Sequence, residues 1–244
     1  MKIERIMPGM GVRSNVGTMG AAGVTLVEDD VRVLVDTGHY GTRDWLKAEL
    51  SKRNVSPLDI DVVVLTHLHW DHCLNVEMFP GARILLGEEE LKQGFLMEPG
   101  EPQGEAFKGA LRKMKVETVG DGDRISRHAT ALLTPGHSPG HVAVALKGDD
   151  GRLTVMSGDA VPNYRAYIRG FPDISFFDKA KSAESVEKVK RLSPDMVIPG
   201  HDSPFNADGY LERDDFTLIL RRENEENSTF TFRHVPADKP VVHR

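Results

Sequence analysis

Apolar positions along the chain follow two rhythms. Residues 24–27 and 31–35 are short β-rich runs on either side of the acidic turn Glu28-Asp29-Asp30, which predicts a hairpin. After Thr42, a candidate N-cap, Trp45, Leu46 and Leu50 recur at helical spacing. The unbroken run of DVVVLTH predicts a strand buried on both faces, in the middle of a covered sheet. Further on, the pattern predicts a strand over 83–86, an acidic helix start at 88–90, a Gly/Pro/Glu-rich loop over 94–105 and a helix over 106–114. Short strands are expected at 115–119, 124–126, 130–134, 142–147 and 153–156. Residues 179–192 predict an amphipathic helix with Val186, Val189 and Leu192 on one side, followed by a buried strand at 196–198. Residues 216–221 and 229–234 pair naturally around ENEEN as a terminal hairpin. This order suits two sheets packed together with helices outside.

Composition narrows the picture slightly. The 244 residues can bury a sizeable core, and 39% hydrophobic with 28% charged residues is ordinary for a globular protein. A net charge of −6 argues against a dedicated nucleic-acid binder, which needs a basic face. The single cysteine, Cys73, allows no intramolecular disulfide and is expected as a small packed residue. The start MKIERIMPGM is too polar for a signal peptide, and no apolar run approaches the ~20 residues of a membrane span. A cytoplasmic protein acting on a small molecule, with no membrane partner, is the expectation.

The stretch LTHLHWDHC changes the picture most. His67, His69, Asp71 and His72 fall directly after the Val-rich strand. Residues two apart in an extended segment can share a side, and a following turn can bring Asp71 and His72 round to a second one. So many ligand-type side chains exceed what one tetrahedral metal normally takes from one segment, which favours two adjacent metals. LTPGHSPGH, VMSGDAV and VIPGHDS each end a β-run with Gly and then His137, Asp159 or His201. Gly there lets the chain turn sharply toward a shared cleft.

As a set, HLHWDH, TPGHSPGH, SGDA and PGHDS, with DTG at 36–38, resemble the metallo-β-lactamase-fold hydrolases. The resemblance covers about residues 20–205. It implies an α+β fold, an αββα sandwich of two mixed β-sheets with helices on the outer faces and metals at one edge. The domain would span 1–205, with 206–244 a C-terminal extension packed on it as a hairpin. It assigns His67, His69 and His137 to one metal and Asp71, His72 and His201 to the other, with Asp159 bridging. Asp36 would support the site from behind. Two divalent ions are implied, zinc first, with Fe, Mn or Co also compatible with these ligands. Such a pair lowers the pKa of a shared water for attack on a carbonyl or phosphoryl centre.

The motifs are most similar to those of the N-acyl homoserine lactonase and glyoxalase II-like branches. The TPGHTPGH of the first resembles TPGHSPGH at 134–141 here, and the second shares the Trp inside HxHWDH with Trp70. The expected reaction is hydrolysis of a carboxylic ester or lactone, with thioester hydrolysis or phosphodiester cleavage as alternatives. Asp71 is the expected ligand and proton shuttle, and Tyr164 the expected donor to the developing oxyanion, with Tyr167 able to replace it. The aromatic stretch 164–177 is open between an acyl-chain pocket, core packing and contact with a second copy of the chain in a homodimer. His39 is a candidate for the cleft, His141 for anchoring a strand, and His128, His234 and His243 for the surface.

Overall fold

Val62, Val63 and Val64 form a strand in the middle of a six-stranded sheet, buried on both sides. The computed structural model describes residues 1–14, 17–18, 20–214, 216–220 and 228–232. In chain order its strands are β1 (Lys2–Met7), β2 (Arg13–Ser14), β3 (Gly17–Thr18), β4 (Val24–Glu28), β5 (Arg32–Val35), β6 (Val62–Val64), β7 (Arg83–Gly87) and β8 (Val116–Val119). They continue with β9 (Ala129–Leu133), β10 (Val142–Lys147), β11 (Leu153–Gly158), β12 (Met196–Pro199), β13 (Phe205–Asn206), β14 (Gly209–Tyr210), β15 (Phe216–Leu220) and β16 (Ser228–Phe232). The helices are α1 (Arg43–Lys52), α2 (Trp70–Cys73), α3 (Glu88–Gln93), α4 (Pro102–Leu111), α5 (Tyr164–Arg169) and α6 (Lys179–Arg191).

One sheet has the order β1-β4-β5-β6-β7-β8 and the other β14-β13-β12-β11-β10-β9. Both are mixed: β5, β6, β7 and β8 run parallel beside an antiparallel β1-β4-β5 edge, and β11 and β12 are the parallel pair of the second sheet. Strand periodicity decides which core each side chain joins. Val62 and Val64 face the second sheet with Val33 and Val35, meeting Val142, Val144, Leu146, Met156 and Ile198. Val63 and Leu34 face outward, under Leu46 and Leu50 of α1. On the other side, Ala143, Ala145 and Val197 meet Val186 and Val189 of α6. The result is the α+β sandwich, helices outside two mixed sheets. No helix among the described residues is long and apolar enough to cross a membrane.

Several local expectations are corrected. The segment expected as a loop over 94–105 ends in a helix: α4 begins at Pro102, where the missing N–H of proline costs nothing and its φ is already helical. Glu101 also accepts the amide of Met97 at 2.9 Å, ordering the entry. Arg124 makes only an isolated bridge to Thr130, because Gly122 N–H already bonds Ala131 in a tight reversal; 124–126 is not a strand. Thr42 does sit at the N-cap of α1, but its hydroxyl donates to His39 O instead of capping that helix. Strand β1 and helix α5 were not anticipated. The latter starts at Asn163, whose side chain accepts from Ala166 N, and stops at Gly170.

The terminal strands β15 and β16 pair antiparallel, Phe216 opposite Phe232 and Leu220 opposite Ser228. Residues 221–227, 233–234, His234 and His243 lie outside the described residues. The second sheet itself continues through Tyr210, and Asp214 joins Arg5 of β1 by a bidentate ion pair.

Two expected outcomes follow. Phe79, fully buried under the first sheet, is expected to cost about 3–5 kcal/mol on replacement by Ala, read from urea unfolding. Amides of β15 and β16 are expected to exchange slowly with deuterium; exchange at the free-chain rate would contradict the pairing.

Candidate metal centre

The ligand-type residues leave strands that end at one edge of the two sheets. Asp36 follows β5, His67 to His72 follow β6, His137 lies between β9 and β10, Asp159 follows β11 and His201 follows β12. A backbone bond from Val142 N to Thr66 O, 2.8 Å, ties the two sheets together at this edge. Two glycines make the approach possible. Gly158 turns with φ +48°, and a Cβ on Gly200 would sit 2.1 Å from Asp159 Oδ1.

Side-chain donors converge in three overlapping sets: His67 with His69 and His137, His67 with His72 and Asp159, and Asp71 with His72 and His201. In the first, His69 Nδ1 lies 2.9 Å from His67 Nε2 and 3.0 Å from His137 Nε2. In the others, Asp159 Oδ2 lies 3.3 Å from both His137 Nε2 and His201 Nε2, and Oδ1 lies 3.5 Å from His72 Nε2. Asp71 Oδ2 is 3.4 Å from His201 Nε2. Every residue expected as a metal ligand is therefore in one place.

The outward hydrogen bonds decide which ring atom faces inward. His67 Nδ1 bonds Thr66 Oγ1 at 3.0 Å, and the Thr66 hydroxyl in turn donates to Asp36. His72 Nδ1 donates to Asp36 Oδ2 at 2.8 Å. His137 Nδ1 donates to Ile174 O and His201 Nδ1 to Met10 O. In each case the N–H is spent outside and Nε2 keeps its lone pair for the centre. His69 is the reverse: Nδ1 faces in, while its ring packs between Phe95 and Phe176. His72 Nε2 and Asp159 Oδ1 are buried with no hydrogen-bond partner. Imidazole and carboxylate donors crowded this closely, with two inward atoms making no hydrogen bond, fit divalent cations.

Asp36 is the hinge of this arrangement. It is 2% exposed with φ +60°, a conformation unusual for a residue with a Cβ, and its carboxylate accepts Thr66 N, Thr66 Oγ1 and His72 Nδ1. His141 takes a parallel part. Its Nδ1 meets Thr134 Oγ1 at 2.8 Å and its Nε2 accepts Asp159 N at 3.1 Å, so it anchors Asp159 as well as its strand.

Other candidates separate. Tyr164 lies against Phe205 and Tyr210, and Tyr167 is buried in the same group over the outer face of the second sheet. Phe171, Phe176 and Phe177 are exposed, with the Phe176 ring 4.9 Å from His69 and 5.4 Å from His137. The aromatic stretch therefore divides between packing and the rim of the centre. His39 meets Trp70 edge-on, its Nδ1 accepting Gly41 N. His128 is held between Asp29 and Asp149, and Cys73 is fully buried. Sequence reasoning missed Thr66, Glu90, and the carbonyls of Met10 and Ile174. Only Thr66 had a signal, its position directly before His67.

Electrostatics among the chain's own groups split the imidazoles. Burial, then neighbouring imidazoles, holds His67 and His69 well below the usual histidine range; burial also lowers His137 and His141. Burial opposes protonation of His72 and His201 too, but carboxylates outweigh it: Asp36 and Asp159 lift His72 to about 10, and Asp159 and Asp71 lift His201 to about 9.

A profile of the Metallo-beta-lactamase superfamily matches residues 18–201. Metallo-beta-lactamase domain-containing protein 1 of Rattus norvegicus is 31% identical over 186 residues, covering 75% of this chain and 67% of its own. A protein named probable metallo-hydrolase from Methanocaldococcus jannaschii is 30% identical over 170 residues, covering 70% of each. Among solved structures, a Thermotoga maritima chain named for the metallo-beta-lactamases superposes with TM-score 0.68 at 21% identity, covering 84% of this chain and 98% of its own. A quorum-quenching N-acyl homoserine lactone lactonase superposes with TM-score 0.65 at 18% identity, covering 80% and 90%.

The metal-free protein is expected to be most stable near pH 6.5. The imidazoles with depressed pKa lose their contribution as pH falls below the unfolded value of 6.5, since they must then take up protons in the core. His201 and His72 contribute fully below 6.5 and lose that contribution as pH rises toward about 9 and about 10. Urea unfolding in chelator at pH 5, 6.5 and 9.5 checks this; stability rising steadily across the series would contradict it.

Proposed function

Since the chain belongs to the metallo-β-lactamase superfamily and is a metallo-hydrolase of it, we propose that it hydrolyses carboxylic esters, lactones first, with two zinc ions per chain. The observation that carries this reading is the overlap of the His/Asp donor sets around Asp159, with His67, His72, His137 and His201 each turned inward by an outward bond from Nδ1. His67, His69 and His137 would hold one ion, Asp71, His72 and His201 the other, and Asp159 both. Two such ions supply water of lowered pKa and polarise an electrophilic oxygen.

The chain's own residues do the rest. Asp71, 9% exposed and beside His201, would return a proton to the leaving oxygen. Phe95 and Phe176, against His69, offer an apolar wall beside the centre that suits an acyl group and keeps bulk water back. The lactone preference is supported by the TPGHSPGH motif and by a lactonase among the structural neighbours, which speaks to fold. Net charge −6 leaves a phosphodiester polymer the weaker substrate. Tyr164 remains proposed as a donor to the oxyanion, with its ring packed against Phe205 and Tyr210 as the competing use.

Elemental analysis of metal-replete protein is expected to find about two ions per chain, falling to about one in Asp159→Asn. A screen of lactones, esters, thioesters and phosphodiesters is expected to favour lactones; turnover of the phosphodiester alone would overturn the ester reading. Asp71→Asn is expected to lower kcat by about 10²–10⁴, with metal content assayed alongside. Tyr164→Phe lowers turnover at unchanged metal content if the phenol assists, and leaves it at the parent rate if the ring only packs.

A further inference from the structure

Three consecutive glutamates open α3, and the third behaves unlike the first two. Glu88 and Glu89 are exposed, whereas Glu90 is fully buried. A carboxylate in that position needs strong donors. Its Oε1 accepts Leu68 N at 2.9 Å. Its Oε2 accepts Ser138 Oγ at 2.7 Å and Gly140 N at 2.9 Å. Leu68 stands between His67 and His69, and Ser138 follows His137. One side chain therefore grips both segments of the three-imidazole set, from a helix that carries none of the ligands.

The backbone is built for that grip. A Cβ on Gly140 would lie 2.1 Å from Glu90 N, and a Cβ on Gly87 would lie 2.1 Å from Gly140 O. The start of α3 thus abuts the loop after His137 at van der Waals distance, and the carboxylate bridges from there to Leu68. The second donor set has its own supports, Asp36 for His72 and Met10 O for His201. None of those contacts involves Glu90.

We propose that Glu90 is a positioning residue that sets the spacing between the His67–His69 segment and the His137 loop, and so the affinity of one metal of the pair. The inference rests on the two-metal reading. Glu90 touches neither metal nor substrate and acts through the backbone of the ligand segments. Glu90→Gln keeps the shape but brings an amide N–H against a donor, either Leu68 N–H or the Ser138 and Gly140 pair. One of the two contacts is lost, and the loops no longer share one acceptor.

The test is competition of Co²⁺ between the protein and a chromophoric chelator, with the visible spectrum of the bound Co²⁺ recorded for parent and Glu90→Gln. One stepwise dissociation constant is expected to rise about 10–100-fold, with an altered Co²⁺ spectrum, while the other stays at the parent value. Ser138→Ala, which removes a single donor, is expected to shift the same constant by less, and it decides the matter if Glu90→Gln does not fold. A lowered melting temperature with both constants and the spectrum unchanged would overturn the proposal and leave Glu90 a fold-stabilising residue. A parent protein that takes up no Co²⁺ would instead sink the two-metal reading itself.

Discussion

Imidazole lone pairs and carboxylates aimed at one another repel, and this fold must hold them in place in a buried edge. It does so by hydrogen bonds on the far side of four of the rings and by packing of the fifth, His69, between Phe95 and Phe176. Thr66, Asp36, Ile174 O and Met10 O each engage one Nδ1, which fixes the tautomer and the direction of the other nitrogen. Remove those outward partners and the inward geometry has nothing to keep it. The orphaned His72 Nε2 and Asp159 Oδ1 are the cost the fold carries for a cation.

The two sheets exist, in this respect, to bring strand ends together. Val62 and Val64 pack between the sheets while Val63 packs outside, so β6 is held from both faces and delivers Thr66 and His67 at a defined place. The inter-sheet bond from Val142 N to Thr66 O then sets the His137 loop against that strand end. Rigid strands support precise ligand spacing better than loops alone would. Gly158 and Gly200 let Asp159 and His201 enter the same small volume.

Electrostatics and packing reinforce each other across the centre. The carboxylates that lift His72 and His201 are those that stand ready for metal, and burial of His67, His69 and His137 keeps their rings neutral for ligation. On the rim, Phe95 and Phe176 flank His69, which gives an apolar substrate group a surface beside polar chemistry.

The sandwich was readable from the chain itself, and so was the group of His and Asp side chains that converges at its edge, because both rest on local patterns. A Val-Val-Val run marks a doubly buried strand, and HLHWDH, PGH, SGD and PGHD each place a ligand type directly after a β-run. Helix α4 was misplaced because Pro and Gly punctuate loops and helix starts alike. The aromatic stretch stayed open because composition does not say which ring meets a core and which meets a ligand; α5 turned Tyr167 inward, while Phe176 beyond it met His69. Glu90 is the sharpest case. Its sequence neighbours are equally acidic, so nothing local separates it from a solvated helix start, and only the crossing of α3 with the loop after His137 buries it. Short-range patterns determine element type and which His or Asp side chain follows each β-run. Which distant carbonyl, hydroxyl or carboxylate supports each ligand is decided by packing between segments remote in the chain, which only the tertiary structure brings into contact.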